Sequence, residues 1–204
     1  LYDNALKRAM INVYKNFSGK TFDEKTLPIP GLIETCIETE GVSSYSNQYI
    51  PQGMCRAGQY LLITAYDVRK KYNSVIYAVD ADRMTLVSTL TMPNKFHAGG
   101  IAFDGKNIWT TGETSDKYQD APFVQYMTYD AFLGHMDEPV SEVEESELSE
   151  YIYIKNKPSF LECNDGKLWV GTYAGKKSTS DAYMYGYDII GEPGNRRLNT
   201  IMYS

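Results

Sequence analysis

Residues 52–80, QGMCRAGQYLLITAYDVRKKYNSVIYAVD, decide the fold, because their pattern returns twice further along the chain. Aligning GQYLLITAYD (58–67), GKNIWTTGE (105–113) and GKLWVGTY (166–173) brings Leu62, Trp109 and Trp169 into register. Each segment is a turn followed by a short apolar run rich in β-branched and aromatic residues, which predicts a strand. Downstream of each comes a second run, VIYAVD, QYMTYD and YMYGYD, ending at Asp80, Asp130 and Asp188. A supersecondary unit is being repeated.

Each unit can be filled out to four strands. The first reads GMCRA, YLLITAYD, SVIYAVDAD and TLVSTLTM. The second reads GGIAFDG, NIWTTGE, FVQYMTYDA and, after an insertion, EYIYIKN. The third reads FLECNDG, KLWVGTY, AYMYGYD and RLNTIMYS. Asp104-Gly105 and Asp165-Gly166 are hairpin dipeptides at matching places, and Gly58 takes that place in the first unit. Four strands repeating at about 40 to 50 residues match a propeller blade. The expected fold is therefore all-β, a β-propeller of four-stranded antiparallel blades with about three blades visible. Three blades do not close a ring, since propellers run from about four to eight. Either the natural chain continues past Ser204, the favoured expectation, or two arcs associate into a six-bladed ring.

Outside the repeats, residues 1–25 read as a helical segment and 26–204 as the propeller portion. Ala5, Leu6, Ala9, Met10, Val13 and Phe17 fall at helical spacing, with Asp3 or Asn4 as N-cap and an end near Gly19. A strap across the blades is the favoured role. Between Thr26 and Pro51, prolines exclude a helix, ETCIETE offers one edge strand, and the Ser, Asn and Gly content beyond it predicts loop. The insertion MDEPVSEVEESELSE (136–150) is acidic and predicts a solvated excursion with at most one helical turn.

Composition narrows the function classes. Eighteen tyrosines and sixteen glycines suit sheets joined by many turns. A net charge of −6 argues against a nucleic-acid backbone as partner. No apolar run reaches the ~18 residues that cross a membrane. No leader is legible, and a chain that starts at Leu1 leads us to expect a segment upstream. Cys36, Cys55 and Cys163 are too scattered for a zinc site. A Cys36–Cys55 disulfide and three buried thiols both remain open, with thiols favoured.

In a propeller, the loops into the inner strand and those after the second strand meet around the channel mouth. That rule gathers His97, Gln52, Glu113, Tyr66, Asp67 and Tyr173 on one rim, with Tyr66, Glu113 and Tyr173 at equivalent positions. His97, one of two histidines, precedes a double glycine that lets a ligand or a neighbouring backbone approach. It reads as a base or hydrogen-bond donor, or as a tie between turns. Glu113 stands where the other units carry an aromatic. Tyr66 and Tyr173 suit stacking on a sugar or packing between blades. Trp109 and Trp169 read as inter-blade core, and Asp80, Asp130 and Asp188 as turn caps. No GxSxG, HExxH or phosphate loop is present. The expected function is binding of a carbohydrate or protein at this rim, with no cofactor.

The segments QGM and HAGGIAFDGKNIW, with the three Trp- or Leu-anchored hairpins, resemble six-bladed propellers of the NHL and gluconolactonase-like kind over residues 51–204. Pro51-Gln52-Gly53 and His97-Ala98-Gly99-Gly100 are also similar to turns of uncharacterised secreted bacterial propellers, which implies an extracellular or cell-surface location. The gluconolactonase-like resemblance implies the alternative function, a hydrolase holding one divalent cation such as calcium. Gln52, Gly99 and Ser159 would stand at its strand starts, with Glu162 and Asn164 further along. The HxGG turn is also similar to that of quinoprotein sugar dehydrogenases, where a histidine at a blade entrance acts as base.

Overall fold

The computed structural model describes residues 29, 31–32, 34–116, 119–174 and 181–203. The helix expected over residues 2–17, with all of the 1–25 segment, lies outside them. The chain is all-β, built of four sheets. β1 (Thr35–Thr39) and β2 (Val42–Ser46) form a hairpin. β3 (Tyr49–Ala57), β4 (Tyr60–Asp67), β5 (Val75–Asp80) and β6 (Thr85–Thr91) form sheet 1. β7 (Ile101–Phe103), β8 (Asn107–Asp116) and β9 (Gln119–Thr128) begin sheet 2. A short helix α1 (Tyr129–Gly134) and β10 (Val140–Glu142) intervene before β11 (Ile152–Tyr153) completes it. β12 (Pro158–Asn164), β13 (Lys167–Thr172), β14 (Met184–Ile190) and β15 (Arg197–Tyr203) form sheet 3. Sheets 1 and 3 are antiparallel meanders of the expected strands, and in sheet 2 the expected outer segment supplies β11.

Side-chain alternation explains how the sheets stack. In β4, Leu62 points to one face and Ile63 to the other. Leu62, Ile76 and Leu90 meet Ile101, Ile108, Phe123 and Met127 in an apolar layer between sheets 1 and 2. Trp109, Val124 and Tyr126 leave sheet 2 on its opposite face and meet Leu161, Leu168, Val170, Tyr185 and Tyr187 of sheet 3. Ile63, Val75, Tyr77 and Val79 form a third layer with Ile37 of the hairpin, where Thr35 Oγ1 lies 2.6 Å from the Tyr77 hydroxyl. The order is hairpin, sheet 1, sheet 2, sheet 3.

Where the first strands of the sheets converge, side chains vanish. A Cβ built on Gly53 would stand 3.0 Å from the Ile101 nitrogen, and one on Gly100 only 2.7 Å from the Leu161 nitrogen. β3, β7 and β12 therefore approach backbone to backbone, and the double glycine after His97 admits a neighbouring strand.

Several expectations need correction. Residues 42–46, expected as loop, are β2, because Glu40 and Gly41 both take positive φ (53° and 71°) and make the tight turn a hairpin needs. Tyr129-Asp130-Ala131 leaves the strand for α1, whose first turn is capped when Ala131 N–H donates to Thr128 Oγ1 at 3.2 Å. The acidic insertion is not a free excursion: β10 adds parallel to β6, and Val143 is buried against the first layer. Trp109 is fully buried with its Nε1–H on Asp104 Oδ2 at 2.9 Å, but Trp169 is half-buried on the outer face of sheet 3. Asp80 caps its turn through the N–H groups of Asp82 and Arg83, whereas Asp188 pairs with Lys167 at 3.4 Å. All three cysteines are free thiols, so the Cys36–Cys55 bridge is not formed. Burial pushes the Cys55 thiol up to about 12 and raises that of Cys163 as well.

Candidate functional site

A bulge sets the first side chain of the site. Between Pro51 and Met54 the β3–β4 register shifts, with Gly53 N–H donating to Thr64 Oγ1 at 3.0 Å, and Gln52 is left protruding. Its amide nitrogen donates to the Pro51 carbonyl at 2.9 Å, so its oxygen accepts from His97 Nε2 at 2.8 Å. This network assigns the proton of neutral His97 to Nε2 and leaves Nδ1 as the acceptor. The imidazole stacks on Tyr66 with centroids 4.1 Å apart and planes at 24°. Local desolvation holds the His97 pKa below its ordinary value, with Lys157 and Lys70 acting the same way and Glu113 opposing. The ring is therefore neutral at pH 7.

Sheet 2 supplies Glu113, whose Oε2 lies 2.5 Å from Lys157 Nζ. Lys157 sits just before β12, so this ion pair joins sheets 2 and 3 as the Tyr66–His97 stack joins sheets 1 and 2. The two seams are equivalent by register. Thr111 Oγ1 holds Gly100 N–H at 2.7 Å as Thr64 holds Gly53, and Phe160 pairs with Gly171 at the same place in sheet 3. Counting from these positions, His97 and Lys157 correspond, and so do Tyr66, Glu113 and Tyr173.

Tyr66, His97, Glu113 and Lys157 line a groove of about 570 Å³ that Lys70, Asn94, Lys95, Phe96, Phe123 and Tyr151 complete. Tyr151 stacks on Phe123 at 3.9 Å, and its hydroxyl lies 3.5 Å from Asn94 Nδ2. Of the six residues expected on one rim, Gln52, Tyr66, His97 and Glu113 come together. Asp67 does not join them. It is buried and accepts the N–H groups of Arg69, Lys71 and Tyr72 at 3.2, 2.9 and 3.0 Å, which makes it the organiser of the β4–β5 turn. Tyr173 donates its backbone N–H to the Lys157 carbonyl at 3.1 Å, but its side chain is 64% exposed and outside the groove lining. Lys157, Lys70, Lys95 and Tyr151 were missed. Lys157 had a signal, since it occupies the repeat position of His97. Tyr151 had none, because the insertion hides its place.

Of the residues implied for a divalent cation, Gln52 is committed to Pro51 and His97, and Glu162 and Asn164 are exposed on β12. The Glu113 carboxylate of the groove is neutralised by Lys157. Among the described residues no three His, Cys, Asp or Glu side chains form a group able to hold a metal. No helix among them is long and apolar enough to cross a membrane.

No known protein family matches this chain, and no curated protein is significantly similar to it.

Proposed function

We propose that the chain is a binding module that takes a carbohydrate in the groove around His97. The observation that carries this reading is the composition of that groove. A neutral imidazole whose Nδ1 has no partner among the described residues, a carboxylate–ammonium pair and the aromatic surfaces of Tyr66 and Tyr151 face one cavity. Sugars present hydroxyls that both donate and accept, and C–H faces that pack on rings, so this mixture suits them. In the same reading the three stacked sheets are consecutive blades of a propeller, six-bladed when complete. The open face of sheet 3 would be met by a further blade or a second copy. An extracellular or cell-surface location belongs to this proposal and rests on the resemblance of the Pro51-Gln52-Gly53 and His97–Gly100 turns.

The gluconolactonase-like alternative draws no support from the donor set, in which the one groove carboxylate is paired. A protein ligand remains an outcome of the test. That test is a glycan array of neutral and acidic oligosaccharides, read with and without chelator. The expected result is saccharide binding that persists in chelator and is lost in His97→Ala and Glu113→Ala variants whose melting temperatures hold. An array blank for every glycan would overturn the carbohydrate reading, and binding that vanished in chelator would favour a metal site.

A further inference from the structure

The groove around His97 is not an isolated pocket. Tyr151 closes it on one side and also walls a second cavity of about 530 Å³, lined further by Pro93, Gln125, Glu145, Ser149 and Tyr153. Gln125 is 1% exposed, yet neither its amide oxygen nor its amide nitrogen has a hydrogen-bond partner among the described residues. An unpaired buried amide is costly, so one that lines a cavity points to a ligand that completes it. Asn94, on the wall of the first groove, likewise carries a buried Oδ1 without a partner among the described residues. A primary amide donates and accepts at once, which matches a sugar hydroxyl. Tyr151 and Tyr153 meet edge to face at 6.3 Å beside the second cavity, and both are exposed.

Charge separates the two cavities. Lys70 and Lys95 line the first and form no ion pair among the described residues, while Lys157 is already matched by Glu113. The first groove thus carries a positive excess on a chain whose net charge is −6. The second is lined by Glu145 and Glu150 instead. A small neutral sugar would use neither the lysines nor the second cavity.

We propose that the two cavities are adjoining subsites for one acidic oligosaccharide. Its anionic unit lies at Lys70 and Lys95, and its next unit, a neutral one, passes Tyr151 to reach the Gln125 amide. This rests on the carbohydrate reading above and adds both the charge and the length of the ligand.

The test is calorimetric titration with oligosaccharides of one to four units that carry a single terminal uronate, glucuronate or galacturonate, on an otherwise neutral chain, beside cello- and xylo-oligosaccharides of the same lengths. For the acidic series bound best, affinity should rise about tenfold or more from one unit to three and weaken with added salt. Gln125→Met, which orphans no partner, and Tyr153→Ala, at a site 63% exposed, should bring the trimer down to the affinity of the monomer and leave the monomer unchanged. Lys70→Ala with Lys95→Ala should weaken the acidic ligands alone. A flat length series, a trimer indifferent to both subsite variants, or a neutral chain preferred over every acidic one would overturn this proposal while the carbohydrate reading stood. Failure of all saccharides to bind would overturn both.

Discussion

Asp67 shows how a carboxylate can look functional in sequence and be structural in place. It sits at the end of a strand beside Tyr66, yet three backbone N–H groups take it as their acceptor. Charge-assisted bonds of this kind are worth more than neutral ones, and losing the acceptor orphans all three donors. Asp67→Ala should therefore cost roughly 2–3 kcal/mol of stability, read by urea unfolding. His97 behaves in the opposite way, because its environment acts on its charge. Its folded pKa lies below the ordinary 6.5, so its neutral form favours folding above about pH 6.5, and that contribution is lost as pH falls through the folded value. Lys157→Met removes a cation and leaves Glu113 uncompensated, and both changes should move the His97 titration up. NMR on a protein with two histidines resolves the shift directly, and an unmoved His97 would contradict the assigned electrostatics.

At the scale of elements, most strands were legible because apolar alternation and the Asp-Gly turns specify register locally, without reference to the rest of the fold. Gln52, Tyr66, His97 and Glu113 were legible as neighbours for the same reason, since equivalent register positions emerge at one edge. What was not legible depends on tertiary partners. VSE of β10 is a strand only because β6 offers a free edge, and Thr89 N–H and Val143 N–H bond across that junction at 3.0 and 2.9 Å. The loop-like sequence VSSYS of β2 is a strand because the Glu40-Gly41 turn folds it back on β1. The parallel junction also ties sheets 1 and 2 together, while among the described residues sheet 3 is packed on one face only. Hydrogen exchange should follow this division, with β14 and β15 amides opening at lower free energy than those of β4 and β5. Equal protection throughout would mean that the stack opens as one unit. Gly100→Ala should open the seam itself, because its Cβ would meet the β12 backbone at 2.7 Å, and a loss of roughly 1–3 kcal/mol is expected.

For the whole molecule, the two ends of the stack are unlike. The hairpin covers sheet 1, but Phe160, Met184 and Ile190 on the outer face of sheet 3 are 47%, 41% and 47% exposed around half-buried Trp169. The two tryptophans report on this difference. Acrylamide should quench one fluorescence component, Trp169, and spare Trp109. If the sheet 3 face is covered by a second copy, quenching should diminish as protein concentration rises. The seams between sheets carry a further consequence. Stacked sheets of similar strand order risk docking out of order. Here an imidazole meets a phenol at one seam and an ammonium meets a carboxylate at the next, so exchanging sheets 2 and 3 would set Lys157 against Tyr66 and leave Glu113 without its cation. Each seam therefore carries an address, and the same side chains that line the groove specify the order in which the sheets assemble.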